Sequence, residues 1–271
     1  MEIEALSKPF LKEKEPKQGK FYFAGIFIDN LYLAEAVREV ERSVLQGNRG
    51  YVVTPNAAHI CLLQQDEELK KIYSNASLVL ADGMSIIFAS RLLGFPLKER
   101  CCGTELFTEV CVMLASLDKK IFLLGGQNGS EKIAEQKLKE MYPNLKVSSY
   151  SPCFGFENDK TETAKIVDMI NKFNSDILFL FVGTPKSEKW IYQNISRLHI
   201  NVGFSLGQTI NYFSGTKKRA PKWIRKAGGE WFFRLCQEPK RLWKRYLIGN
   251  SLFLILVIKE FFKIKLTSKM Q

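Results

Sequence analysis

Short apolar runs alternate along this chain with longer stretches whose apolar residues recur every three or four positions. Phe21–Ile28, Tyr51–Val53, Leu78–Ala81, Ile121–Leu124, Val147–Tyr150, Ile177–Val182 and Val202–Leu206 are the short runs, and they read as strands. Helical periodicity fills the gaps, notably over Ser130–Tyr142 and Glu162–Phe173. Asn30 is placed to cap a helix running to about Gln46, with Gly47 as its stop signal. A stretch holding Ile60, Leu62 and Leu63 follows Thr54-Pro55-Asn56, and one holding Ile86, Phe88 and Leu92 follows Asp82-Gly83. Strands separated by helices of this length indicate parallel βαβ units and a doubly wound α/β sheet. The strands are nearly continuous in apolar residues, as expected when helices cover both faces. No internal repeat and no low-complexity tract interrupts the pattern.

A chain of 271 residues that is 46% hydrophobic can bury one full α/β core and carry an appendage. The expected division is a polar arm over 1–20, a body over 21–214 and an appendage over 215–271. The arm lacks the apolar centre of a signal peptide. Leu252–Ile258 is apolar but bracketed by Asn250 and Lys259, too short for the roughly 20 residues that span a bilayer. It is expected to lie in a membrane interface or to pack on a partner. Six cysteines, of which Cys101 and Cys102 are adjacent and four are scattered, with no C-x-x-C, and only two histidines, argue against a disulfide framework or a zinc site and fit a reducing cytoplasm.

Charge sharpens the division. Between Lys217 and Arg245 eleven bases face only Glu230 and Glu238, and the net charge of +12 is carried entirely beyond residue 216. Trp223, Trp231, Phe232, Phe233, Trp243 and Tyr246 are interleaved with those bases. Aromatics and cations at helical spacing suit the headgroup boundary of an anionic membrane. A solvated basic helix packed on the body, a homo-oligomer contact and a nucleic-acid patch are the alternatives, and nucleic acid is not the expected partner.

In open parallel sheets ligands bind beyond the carboxyl ends of the strands. Four small or polar loops leave strands there: Thr54-Pro55-Asn56, Asp82-Gly83-Met84, Gly125 to Ser130, and Gly183-Thr184-Pro185. Asp82 directly follows an apolar strand, a position for a general base or, alternatively, for a cap on the next helix. Thr54 and Asn56 can orient sugar hydroxyls, or Pro55 can simply open a helix. His59 reads as packed or surface-exposed rather than catalytic. The loop GGQNGS can present backbone N–H groups to a phosphate, or be a tight turn. It completes neither a G-x-G-x-x-G nor a P-loop signature. Arg100 can neutralise a diphosphate and Thr104 can cap the helix Leu106–Leu117, or both are structural. No D-x-D pair for holding a metal is present, so leaving-group charge is expected to fall to Arg, Lys and helix N-termini.

Five ordered segments carry a resemblance: TPNAAHI (Thr54–Ile60), LVLADGMSIIFASRLLG (Leu78–Gly94), RCCGTELF (Arg100–Phe107), VGTPKSEKW (Val182–Trp190) and the tail from Lys217 to Tyr246. Together they resemble the WecG/TagA/CpsF family, glycosyltransferase family 26, over roughly Phe21 to Asn250. The resemblance implies an inverting transferase with a Rossmann-like body, a UDP-sugar donor such as UDP-N-acetylmannosamine or its uronic acid, and no cofactor. It implies a lipid-linked saccharide acceptor, N-acetylglucosamine on undecaprenyl diphosphate, met peripherally at the cytoplasmic face of a bacterial membrane. The base falls on Asp82, with Thr54 and Asn56 beside it, and Arg234, Arg241 and Arg245 contact the acceptor diphosphate. Further substrate contacts are expected at Arg100, Thr104, Gly125, Gly126, Gly183, Pro185, Glu188 and Asn211. Three departures stand out: Ser187 where the family usually shows Gln, Asn211 where Asp is common, and Gly228-Gly229-Glu230-Trp231 for Gly-Leu-Glu-Trp. The rival readings are another nucleotide-dependent enzyme on such a sheet, or a non-catalytic protein that holds anionic lipid.

Overall fold

The computed structural model describes residues 19–267. The expected polar arm therefore lies outside the described residues, except for Gly19 and Lys20. The chain opens with β1 (Lys20–Phe23) and β2 (Ile26–Asp29), an antiparallel hairpin. The body continues through α1 (Leu33–Leu45), β3 (Gly50–Val53), α2 (Ala57–Leu63), α3 (Glu67–Asn75), β4 (Leu78–Val79) and α4 (Met84–Leu92). Next come α5 (Gly103–Ser116), β5 (Lys120–Leu124), α6 (Ser130–Met141), β6 (Lys146–Tyr150), α7 (Lys160–Phe173), β7 (Ile177–Leu180), α8 (Lys186–Asn194), β8 (Val202–Ser205) and α9 (Thr209–Ser214). The appendage is α10 (Lys222–Lys226), α11 (Glu230–Gln237) and α12 (Pro239–Thr267).

Six strands form one parallel sheet in the order β4-β3-β8-β7-β5-β6. Burial follows the continuous apolar runs. β3, β7 and β8 are buried at every position, as helices on both faces require. One core lies against α2, α3, α4, α7 and α8, the other against α1, α5, α6 and α9.

Phe21–Ile28, expected as one strand of that sheet, is instead the separate hairpin. Ala24 and Gly25 both take positive φ, 51° and 94°, the two-residue turn whose twist matches antiparallel strands. Phe21, Phe23, Ile26 and Ile28 are buried while Tyr22 and Phe27 face outward. The hairpin flanks the short edge strand β4, where Asp29 Oδ2 accepts the Val79 N–H at 2.8 Å. The helix expected from Asn30 begins at Leu33. Asn30 Oδ1 accepts the Lys98 N–H at 2.7 Å instead, and Glu35 accepts that of Tyr32 at 2.8 Å.

The apolar run Leu252–Ile258 lies within α12, and its residues divide between two faces. Phe253 and Val257 enter the body's core, with Phe253 edge-on to Phe23 at 5.6 Å between ring centroids. Leu254, Ile255 and Ile258 remain exposed. Among the described residues no helix is long and apolar enough to cross a membrane. Because α12 completes the core, Phe253→Ala is expected to destabilise the body by about 3 kcal/mol. Urea denaturation would read that loss, and an unchanged midpoint would mean that α12 packs without contributing to stability.

Candidate active site

The loops leaving β3, β4, β7 and β8 surround a cleft of about 400 Å³, which α11 and α12 of the appendage close from the other side. Its position at the carboxyl edge of the sheet follows from parallel strand polarity. Asp82 sits between β4 and α4. Its N–H donates to Pro55 O at 2.8 Å, and Ala81 O accepts the Cys101 N–H at 2.9 Å. These two bonds tie together the loops carrying Asn56, Asp82 and Arg100.

Gly83, not Asp82, is the residue that opens α4, with φ of 155°, a left-handed value that glycine tolerates. The Asp82 carboxylate instead lies against the start of α5, where the Gly103 N–H helps to hold its pKa down. A Cβ at Gly103 would crowd Thr209 Oγ1 at 3.3 Å but would meet Asp82 Oδ2 only in ordinary contact at 3.7 Å. Asp82 remains partly accessible through the cleft. Burial pushes its pKa up to about 6; Arg100 opposes the rise, Glu230 adds to it, and Arg234 and the Gly103 amide oppose it further. A carboxyl so tuned is ionised at neutral pH and more basic than an ordinary one.

Asn56 caps α2, its Oδ1 accepting from Ala58 N–H at 3.1 Å and His59 N–H at 3.4 Å. That leaves its amide NH2 as the group it can offer to the cleft. Thr54 is buried and lines the same wall. Thr104, expected as a cap, is already inside α5, which Cys102 caps, and it too lines the cleft.

Cations face the carboxyl from two directions. Arg100 arrives from the body, 3.4 Å from Glu230 Oε2 and 3.8 Å from Glu105 Oε1. Arg234 arrives from α11, donating to Gln208 Oε1 at 3.1 Å, with the Tyr212 ring 5.9 Å away. Among the described residues no carboxylate lies within ion-pair distance of Arg234. Arg241 lines the cleft from α12. Nothing is described of the Arg245 side chain, which lies outside the described residues.

The remaining expected residues divide. Gly183 and Asn211 line the cleft, whereas Gly125, Gly126, Pro185 and Glu188 are not among its lining residues. The GGQNGS loop folds on itself, Ser130 Oγ accepting the Gln127 N–H at 3.0 Å, and reaches the cleft through Gln127. Thr184 Oγ1 donates to the buried Glu188 carboxylate at 2.7 Å, which stiffens the loop carrying Gly183. Ser187, where the family usually shows Gln, accepts the Gly183 N–H at 2.9 Å and so supports the same loop.

Two groups at the site carry buried polar atoms without a hydrogen-bond partner among the described residues: Ser205 Oγ at the end of β8 and Asn211 Oδ1 in α9. Such atoms are costly to leave unpaired, and both residues line the cleft. Ser205, Gln208, Glu230 and the pair Phe154 and Lys186 also line the cleft, and none of them was an expected site residue. Phe154 is 98% exposed on the cleft rim, with Lys186 Nζ 4.2 Å from its ring centre. The signal for it was present: Phe154 follows the strand ending at Tyr150, so it too leaves the sheet at its carboxyl edge.

A family model described as the glycosyl transferase WecG/TagA/CpsF family matches residues 21–267. The chain is similar to a Bacillus subtilis (strain 168) protein named N-acetylglucosaminyldiphosphoundecaprenol N-acetyl-beta-D-mannosaminyltransferase, 30% identical over 85% of this chain and 88% of that one. Proteins of the same name from Staphylococcus aureus strains MW2 and NCTC 8325 / PS 47 are each 29% identical, over 93% of this chain and 98% of theirs.

Proposed function

The chain belongs to the WecG/TagA/CpsF glycosyltransferase family, and from that premise we propose that it moves N-acetylmannosamine, or its uronic acid, from a UDP-sugar to N-acetylglucosamine on undecaprenyl diphosphate. The observation that carries this reading is a recessed carboxyl with a raised pKa, Asp82, facing the cations Arg100, Arg234 and Arg241 across one cleft. A base and an anion-binding wall in one pocket are what transfer to a diphosphate-linked hydroxyl demands. The names of the relatives match that acceptor and that sugar.

The reaction is a single displacement. Asp82 takes the proton of an acceptor hydroxyl as its oxygen forms a bond to the donor's anomeric carbon. The bond from that carbon to the UDP oxygen breaks on the opposite face, so configuration inverts and UDP leaves as the anion. Arg234 and Arg241 hold the acceptor diphosphate, while Asn56 and Thr54 orient sugar hydroxyls next to Asp82. Ser205 Oγ and Asn211 Oδ1 are offered to the donor, whose hydroxyl or amide groups satisfy them. Phe154 presents a flat apolar face to the nucleotide end, with Lys186, ion-paired to Glu157, packed against its ring.

The appendage meets the membrane at its cytoplasmic face, where such an acceptor is embedded. Trp223, Phe232 and Trp243 are exposed among its bases, a composition that partitions into headgroups. A panel of UDP-sugars tested on polyprenyl-diphosphate N-acetylglucosamine in anionic vesicles, with UDP release as the readout, decides the question. UDP release with the N-acetylmannosamine donors, and sedimentation of the protein with the vesicles, are the expected results. No UDP release with any donor would sink the proposal.

A further inference from the structure

The appendage supplies more than positive charge to the site: it also brings one carboxylate. Glu230, the first residue of α11, lies on the cleft wall between two arginines. Its Oε2 is 3.4 Å from Arg100 Nη1 and its Oε1 is 3.5 Å from Arg219 Nε. Glu105 of α5 completes the cluster, 2.9 Å from Arg225 Nη1, 3.5 Å from Arg219 Nη2 and 3.8 Å from Arg100 Nη2. Arg219 also donates to Cys102 Sγ at 2.8 Å. Three largely buried guanidiniums from both parts of the chain thus share two carboxylates.

The cluster sits beside Asp82, yet no arginine donates to the Asp82 carboxylate among the described residues. Acting on Asp82 are Arg100, Cys101 and Cys102 from the segment before α5, and Glu230 and Arg234 from α11. Around them stand Glu105 on α5, Arg219 in the segment before α10, and Tyr212 on α9. His59 on α2 and Arg241 and Tyr246 on α12 line the same cleft. Arg100 is the cation with the strongest hold on Asp82, and it is Glu230 that Arg100 engages.

We propose that Glu230 is a positioning residue that couples seating of the appendage to the strength of the base: by taking Arg100 and Arg219, it keeps the Arg100 guanidinium from pairing with Asp82. Without Glu230, Arg100 gains freedom to close on Asp82, and the remaining field at the carboxyl becomes more positive. Both changes stabilise the carboxylate and make it a poorer proton acceptor. A body lacking a seated appendage loses Glu230 and Arg234 together, and with them the cover over the carboxyl; Arg100 is then the cation left to close on Asp82, the base is weakened, and proton abstraction is confined to molecules whose α11 is in place. This rests on Asp82 being the base for its catalytic consequence, but not for its electrostatic one.

The full-length chain, labelled with 13C at aspartate carboxyls, tests the coupling by NMR titration, the Asp82 signal being the one lost in Asp82→Asn. Glu230→Gln keeps the shape and removes the charge. It is expected to lower the Asp82 midpoint by about half a pH unit or more, a threefold change in its ionisation constant. The acid limb of the kcat–pH profile is expected to move with it, and Glu230→Asp to restore part of the shift. A purely structural role would change the melting temperature without moving either midpoint. Arg219→Gln is the second arm, expected to raise the Asp82 midpoint by removing a cation and freeing Glu230. An Asp82 midpoint unmoved in a folded Glu230→Gln protein would overturn the proposal. If that variant does not fold, an unmoved or lowered midpoint in Arg219→Gln would do the same. A midpoint that shifts while the kcat limb stays fixed supports the coupling and removes Asp82 from the role of base.

Discussion

Asp82→Asn is expected to cut turnover by about 10²–10⁴-fold, a loss of roughly 3–5 kcal/mol of transition-state stabilisation. The substitution is nearly isosteric, so UDP affinity and the donor KM are expected to stay close to those of the unaltered protein. The same change is expected to stabilise the fold. Burial raises the Asp82 pKa from 3.8 to about 6, so the folded state favours the protonated carboxyl. The stability this group contributes is fully present below about pH 3.8 and is lost as pH rises through about 6. Asn is neutral throughout and escapes that loss. The variant is thus expected to be nearly inactive yet to melt higher than the parent above pH 6, with the difference vanishing near pH 4. In the parent, kcat is expected to fall as pH drops below about 6. Unchanged turnover in Asp82→Asn would remove this residue from the chemistry.

Arg234→Met is expected to raise the KM for the diphosphate-linked acceptor by about 10–100-fold, the worth of one charge-assisted hydrogen-bonded contact. Arg234 carries a half-buried guanidinium in the cleft wall whose described partners are an amide oxygen, Gln208 Oε1, and the Tyr212 ring. A half-buried cation held by neutral groups has much to gain from an anionic ligand. Methionine preserves most of the side chain's packing volume, so the loss reads charge rather than shape. Arg234→Lys is expected to recover only part of the affinity, because an ammonium cannot make the paired contacts of a guanidinium. Initial rates with acceptor and donor varied separately decide the matter. A rise confined to the donor KM would place Arg234 on the UDP side, and no change in either would remove it from binding.

The parallel sheet was legible because its strands are continuous apolar runs and its helices keep a helical period. Six of the seven expected strands pair in the sheet. The first, Phe21–Ile28, failed for a local reason. Its turn is Ala24-Gly25 rather than one of the strong turn pairs, and unbroken hydrophobicity conceals a reversal that only positive φ at both residues makes visible. The helix caps misled in the same way. Thr104 and Asn30 have capping chemistry, but Cys102 and Tyr32 hold the capping positions. Tertiary partners decided which residue stood at the end of each helix.

The site divides along similar lines. The rule that ligands meet strand carboxyl ends found Thr54, Asn56, Asp82 and Gly183, because strand polarity follows from chain direction alone. The same rule also pointed to Gly125 and Gly126, which do not line the cleft; the loop there bonds to itself through Ser130. Glu230, Gln208 and Ser205 were not among the expected site residues: an ordinary carboxylate, amide and hydroxyl gain their meaning from what the fold sets beside them, Arg100 for Glu230 and Arg234 for Gln208.

By itself the sequence determined the alternation of strand and helix, the edge of the sheet where chemistry would lie, and the confinement of net positive charge to the last quarter of the chain. Those properties are local or additive, fixed by periodicity, chain direction and composition. Only the tertiary structure decided that the appendage closes over the cleft, that Phe253 joins the body's core, and that Glu230 stands between Arg100 and Arg219. These depend on long-range packing, where the energy of a charge or a ring is set by what the fold places beside it.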